Sequence, residues 1–180
     1  MTENHPVLKK LLILSIAIVF IFSAFNLAWY IGVKRTYNHI AEDLDKVADE
    51  ETKGVHYRKE IDGYTYLLSM TAYLLNSGFF SIEKSDGYVV ELDSDGNAIS
   101  DNGVHVSLFI WPKTFGGYEY GVDIYSEIEG IWEQIHINCE GDYIPENDGN
   151  LELNEYLSSV IDNYHDEIVT MLNLAKKYTK

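Results

Sequence analysis

Two histidines and an aspartate lie on three successive segments in which apolar and polar side chains alternate, the pattern of half-buried β-strands. Alternation puts His105, Asp123 and His136 on the face opposite the apolar residues, so the three share one face of a sheet. Imidazole and carboxylate groups that converge could act as general acid and base. A membrane-tethered hydrolase that uses this His/Asp face is therefore one alternative for the function.

Aromatic residues accompany these groups on the same face. Trp111, Tyr125 and Trp132 share their parity, and tryptophan and tyrosine are favoured anchors of binding surfaces. An aromatic ring beside a polar group can pack against a peptide or hold a sugar. The alternative is that a helix covers the face, because large exposed aromatic patches are uncommon. We expect a binding face for a protein, peptide or glycan, made of Trp111, Trp132, His105, His136, Asp123 and Tyr125.

Other patterns for chemistry fail on spacing. Cys139 is the only cysteine, which excludes an intramolecular disulfide, and we expect it in the core as a small apolar residue. The turn Asp93–Asn97 begins like a calcium loop, but Ala98 and Val104 stand where that loop needs glycine and glutamate. No G-x-S-x-G or H-E-x-x-H motif occurs. We expect no metal or other cofactor, and we favour binding over catalysis.

The residues that must position this face follow a long apolar segment. Between Leu11 and Val33 there are 23 consecutive uncharged residues, which as a helix span roughly 35 Å against a hydrocarbon core of about 30 Å. Basic residues bracket the run, namely Lys9, Lys10, Lys34 and Arg35. The sequence predicts a single-pass membrane anchor at residues 1–35 that contacts lipid through Leu11–Val33. A cleaved signal peptide is less favoured, because its apolar core would be shorter and its exit would resemble A-x-A.

The charges around the anchor leave its orientation open. Two basic residues precede the anchor and four follow it within 20 residues, which by the positive-inside rule favours a cytoplasmic C-terminal domain. Long domains, however, cross the membrane largely regardless of charge, and a short basic N-terminus before an apolar run is typical of a signal anchor. We favour a cell-membrane protein whose C-terminal domain is extracytoplasmic.

Beyond the anchor, an apolar stripe of helical period predicts that the helix continues as a stalk over residues 36–55. Gly54 is a plausible end. So narrow a stripe could pack on the domain or on another copy of the chain, and an oligomer could form through the anchor and the stalk. The stripe consists of Tyr37, Ile40, Leu44, Val47 and Ala48.

Residues 56–180 are expected to form one acidic α+β domain. A helix is predicted over Tyr64–Asn76 from apolar spacings of three and four. An antiparallel meander of about five strands follows, because short turns separate the alternating segments. The long helix Leu151–Lys177 is expected to pack on the apolar sheet face. The five predicted strands are Phe79–Lys84, Tyr88–Asp93, Val104–Trp111, Tyr118–Glu127 and Ile131–Cys139.

The charge limits the partners. A net charge of −16 argues against nucleic acid, which is bound through a basic surface. Lys113 is the only lysine or arginine between Ser85 and Thr170, so this part should be repelled by anionic lipid.

A long apolar helix before antiparallel strands is similar to the plan of pilins, which implies a structural subunit as a further alternative. The Gly-Phe junction and the early glutamate within the apolar run that such proteins show are absent here.

Overall fold

A computed structural model of the chain describes residues 6–47, 55–70, 78–85, 104–126, 130–145 and 151–179. The fold is α+β, with an apolar N-terminal helix, a seven-stranded antiparallel sheet and a long C-terminal helix. Strand order in the sheet follows chain order, so the sheet is a meander. The helices are α1 (Pro6–Trp29), α2 (Arg35–Ala41) and α3 (Leu151–Ala175), and a π-helical turn, Tyr30–Lys34, joins the first two. The strands are β1 (Asp45–Val47), β2 (Val55–Ile61), β3 (Tyr64–Met70), β4 (Phe79–Lys84), β5 (Val104–Pro112), β6 (Tyr118–Ser126) and β7 (Ile131–Ile137).

The predicted fold class is confirmed, with more strands than the sequence suggested. Strands β4 to β7 and helix α3 lie within a few residues of their predicted bounds. The predicted strand Tyr88–Asp93 and the turn Asp93–Asn97 fall outside the described residues.

The predicted helix over Tyr64–Asn76 is wrong where the structure describes it, since Tyr64–Met70 is strand β3. The turn before it decides the difference. Asp62 and Gly63 have φ angles of 53° and 79°, and two residues of positive φ make the turn that joins the two strands of a tight hairpin. The run of tyrosine and leucine fits either period, whereas an Asp-Gly pair favours a hairpin.

The predicted helical stalk is also wrong between Ala41 and Val47, because β1 begins at Asp45 and pairs with β2. The rest of the predicted stalk, residues 48–54, lies outside the described residues. The remaining helix is part of the core rather than a stalk. Tyr37 is 1% exposed and Ile40 is buried beside it. The hydroxyl of Tyr37 donates a hydrogen bond of 3.0 Å to the carbonyl oxygen of Gly78.

The core lies on one face of the sheet, where α2 and α3 both contribute to it. An ion pair of 2.5 Å between Lys177 and Asp43 joins the chain after α3 to the chain after α2. The predicted apolar face of β5 to β7 belongs to this core with two exceptions. Ile131 is only half-buried and outside the core, and Cys139 lies in an exposed turn beyond the end of β7. The buried sheet residues of the core are Tyr66, Leu68, Met70, Phe80, Ile82, Val106, Leu108, Ile110, Val122, Ile124, Ile135 and Ile137.

Helix α1 has a different environment, since none of its residues is buried in the protein. Together with the π turn and α2 it forms one helix from Pro6 to Ala41. This helix is long and apolar enough to span a membrane.

The π turn is packed against the loop between β5 and β6, residues 113–117. A Cβ atom on Gly32 would lie 2.5 Å from the carbonyl oxygen of Thr114 and 2.8 Å from that of Lys113. Such a distance excludes any side chain at residue 32 unless the loop moves. The absence of a side chain therefore lets the helix and the loop approach backbone to backbone.

Because Tyr37 is buried with its hydroxyl bonded, we expect Tyr37→Ala to lower the free energy of unfolding by about 3–5 kcal/mol. Tyr37→Phe should cost only about 1 kcal/mol, the typical worth of one hydrogen bond. The control is Asn38→Ala, at an exposed position of the same helix, which should change little. Denaturant unfolding of the full chain in detergent measures all three, and equal stability of Tyr37→Ala and the control would show that α2 is not part of the core.

Candidate functional site

The cross-strand register tests whether the six predicted binding residues share a face. Tyr125 of β6 lies between His105 of β5 and Trp132 of β7. Glu119 pairs with Trp111, and Gly121 with His136. Residues two apart on a strand point to the same side. All six side chains therefore belong to the face opposite the helices α2 and α3, which we call the second face.

The six residues form two groups rather than one cluster. His105, Asp123, Tyr125 and Trp132 lie toward the end of the sheet where β6 leaves it, and we call them the far group. Trp111 and His136 lie toward the loop 113–117 and make up the near group. The partner of Trp111 lies six positions from Tyr125 along β6, which at 3.4 Å per residue is about 20 Å.

The far group contains the most open aromatic surface on the sheet. Trp132 is 75% exposed and its neighbour Tyr125 is 40% exposed. Beside them the amide of Gln134 donates a hydrogen bond of 2.9 Å to Oδ1 of Asp123. Burial raises the pKa of Asp123, although hydrogen bonds from Gln134 and Trp132 oppose the rise. The result is two exposed rings next to a carboxylate that is held in place.

A buried polar cluster adjoins the far group. Nε2 of His105 lies 3.0 Å from Oγ of Ser107 and 3.6 Å from Oε2 of Glu83, and the serine hydroxyl donates to the same carboxylate at 3.4 Å. In a catalytic triad the acid and the serine bind opposite ring nitrogens of the histidine, whereas here both contact Nε2. His105 is only 8% exposed and Ser107 only 5%, so a substrate has little access to them.

The predicted catalytic set does not converge. His105 and His136 pair with residues of β6 that are four positions apart, Tyr125 and Gly121, which is about 13 Å. Glu83, which the structure brings to His105, was missed in the sequence analysis. Alternation along β4 could have found it, because Glu83 shares parity with Phe79 on the second face.

In the near group, the absence of a side chain at Gly121 lets the indole of Trp111 lie across strand β6. A Cβ on Gly121 would lie 2.7 Å from Cζ3 of Trp111, so the indole covers this position of β6. It thereby reaches His136 on β7, with 6.2 Å between ring centroids, and its other neighbour is Phe109 at 5.9 Å. Phe79 extends the row at 5.1 Å from Phe109. Trp111 is consequently half-buried among rings, unlike Trp132.

An open cleft of about 730 Å³ lies between this near group and the end of α1. Its lining includes an ion pair of 3.0 Å between Lys113 and Glu119. The aromatic walls come from both the helix and the sheet side, and they include Phe25, Trp29, Trp111 and Phe115.

Within the described ranges, no group of three histidine, cysteine, aspartate or glutamate side chains could hold a metal ion. Comparison with protein-family models, with curated proteins and with solved structures finds no match for this chain. The site must therefore be interpreted from its own geometry.

The raised pKa of Asp123 makes a prediction about pH. A carboxyl whose pKa is higher folded than unfolded stabilises the fold at a pH below its unfolded pKa, and this contribution is lost as the pH rises through the folded pKa. We therefore expect Asp123→Asn to raise the melting temperature at pH 7, and the gain should shrink to nothing as the pH falls below about 3.9. Asp162→Asn, at an exposed position of α3, controls for the change in net charge. A gain at pH 7 no larger than that of Asp162→Asn would contradict the burial of this carboxylate.

Proposed function

We propose that the chain is a single-pass membrane-anchored protein whose acidic, extracytoplasmic domain is a non-catalytic binding module, sensor-like in plan. The observation that carries this proposal is the far group, in which Trp132 and Tyr125 present open rings beside Asp123. Large exposed aromatics with fixed polar neighbours are typical of contact surfaces.

The anchor is supported by the environment of the apolar helix. No residue of α1 is buried in the protein, and water would be an unfavourable solvent for so much apolar surface. The same helix continues into the core through Val33 and Tyr37. Its end also packs on the loop 113–117 through Gly32. These contacts favour an anchor that is retained over a signal sequence that is removed.

The partner we favour is a neutral or cationic protein or peptide. The net charge of −16 should repel anionic partners, since charge of one sign over a surface steers association. A peptide can pack apolar side chains on Trp132 and direct a basic group to Asp123. A neutral glycan that stacks on the same rings is the alternative partner.

A hydrolase is less well supported than a binding module. Its nucleophile would be Ser107, and this residue and His105 are both buried. Glu83 and Ser107 both contact Nε2 of His105, whereas the acid and the serine of a catalytic triad contact opposite ring nitrogens.

The orientation can be tested with the native cysteine. Cys139 is exposed, so we expect a membrane-impermeant maleimide to label it in intact cells. Its thiol donates a hydrogen bond of 3.2 Å to Oε2 of Glu140, and this bond and the charge of Glu140 raise the thiol pKa. Labelling should therefore accelerate as the pH rises from 7 to 9, and Glu140→Gln should accelerate it at pH 7 because the thiolate becomes more abundant.

Cys139→Ser is the control without a thiol. Labelling only after lysis would place the domain in the cytoplasm, and recovery of the unlabelled chain in the soluble fraction would contradict the anchor.

The binding proposal predicts crosslinks at one end of the sheet. A photoreactive benzoylphenylalanine in place of Trp132 should give a discrete crosslinked product in native membranes. Tyr125→Ser in the same chain should reduce its yield, because the neighbouring ring would be lost. The matched control carries the same group at Asn163, which is exposed on α3. Equal products from both positions, or a yield that Tyr125→Ser leaves unchanged, would contradict the far group as a binding surface.

A further inference from the structure

We infer that the loop between β5 and β6, residues 113–117, is a second membrane contact that inserts the ring of Phe115 into the bilayer beside the anchor helix. This inference depends on the proposed membrane anchor and adds a lipid-binding element to it.

Phe115 lies beside the anchor helix, within the length of the uncharged run. Its ring lies edge-on to that of Phe25, with 6.4 Å between centroids. Phe25 is inside the uncharged run, eight residues before its last residue, Val33. At 1.5 Å per residue, Phe25 is about 12 Å along the helix axis from that end. If the run Leu11–Val33 spans the bilayer, the tip of the loop is therefore at the depth of lipid.

The tip of the loop carries an exposed aromatic ring. Phe115 is 83% exposed, more than any other large aromatic side chain among the described residues. Tyr30 and Ile31 of the adjoining helix are exposed as well, so the apolar surface continues from the loop to the helix. A bilayer is the one surrounding that covers both, and aromatic rings favour its interface.

Basic residues near the loop favour its contact with lipid headgroups. Lys113, at the base of the loop, is the only cation in a long acidic part of the chain, and the helix brings Lys34 and Arg35 to the same end. Basic side chains near a membrane interface can extend to lipid phosphates. Three basic residues, Lys34, Arg35 and Lys113, therefore lie at the end of the domain that we place on the membrane, and Lys113 is ion-paired there with Glu119.

Hydrogen bonds within the loop and its packing on the helix hold the loop in place. The amide of Lys113 donates to the carbonyl of Gly117 at 3.0 Å, and that of Gly116 donates to the carbonyl of Lys113 at 3.1 Å. Gly32 lets this closed loop pack closely against the helix, because any side chain at residue 32 would collide with the loop backbone. The depth of Phe115 is thus set by the helix to which the loop is packed.

The experiment measures the depth of the loop tip directly. The full chain with Cys139→Ser and Phe115→Cys is labelled with the fluorophore NBD and reconstituted in vesicles of phosphatidylcholine with phosphatidylglycerol. We expect a blue-shifted emission, quenching by doxyl groups on the lipid chains, and protection from iodide. The matched control is Glu60→Cys in the same background, at an exposed position of β2 near the opposite end of the sheet, which should emit like an aqueous probe.

Two further variants test the positioning by Gly32. Gly32→Leu should displace the loop, shift the emission to the red and restore iodide quenching. Ala24→Leu, which adds the same bulk at an exposed position of α1, should not. If Gly32→Leu leaves the probe in lipid, the helix does not set the loop's depth and the inference fails.

Vesicle flotation and alkaline extraction separate this inference from the proposed anchor. A chain that floats with vesicles and resists extraction, but whose probe at residue 115 is as aqueous as the control, overturns the second contact and leaves the anchor standing. A chain that does not float overturns both.

Discussion

The residues from Pro6 to Ala41 form one continuous helix whose surroundings change along its length, and the placement of every other surface depends on it. Its first part has no buried residue, and its last part contributes Val33, Tyr37 and Ile40 to the core. A hinge between the two would let the domain turn freely. Here the last turns are packed under the sheet, so the direction of the apolar part is fixed by the core of the domain.

The π turn stands where these two surroundings meet. A π segment places one extra residue in a helical turn and is frequent at functional positions. In this chain it coincides with Gly32, where the backbone of the loop 113–117 comes closest. Thr36 adds a hydrogen bond of 3.1 Å to the carbonyl oxygen of Gly32, which gives this oxygen a partner. The junction is therefore a packed contact between two backbones rather than a spacer.

Sequence patterns predicted most of the sheet and its two faces. Strict alternation in β5 to β7 assigned Val106 and Ile135 to the core and Trp132 to the opposite face, because a period of two has one interpretation. The spacing of apolar residues led to a wrong prediction of helix over Tyr64–Met70. Residues of both parities are at least half covered in β3, so its run of apolar residues lacks the alternation that distinguishes a strand from a helix. The stripe of α2 was assigned correctly to a helix, but its partner could not be known from local spacing.

The sequence predicted which residues of the candidate site share a face of the sheet, but not the contacts and distances between them. Parity places His105, Asp123, Tyr125 and Trp132 on one side, but the contact of Glu83 with His105 crosses from β4 to β5, which the connecting sequence does not specify. The separation of Trp111 from the far group also requires the register. Lys113 was visible in the sequence as an isolated cation, yet its place beside the anchor depends on the fold of a hairpin loop onto a distant helix. Contacts of this kind, between segments some eighty residues apart, have no local signal.

The two ends of the second face therefore differ in what they can contact. Near the loop, Trp111 and His136 line a cleft whose other wall is the end of α1. At the far end, Trp132 and Tyr125 are open to solvent, and about 20 Å of strand separates them from that cleft. In the topology that we propose, with α1 in a bilayer and its end packed on the domain, the far rings lie at a constant height above the lipid. A partner that reaches them must extend from the aqueous side, or stand in the same membrane with a contact surface at that height.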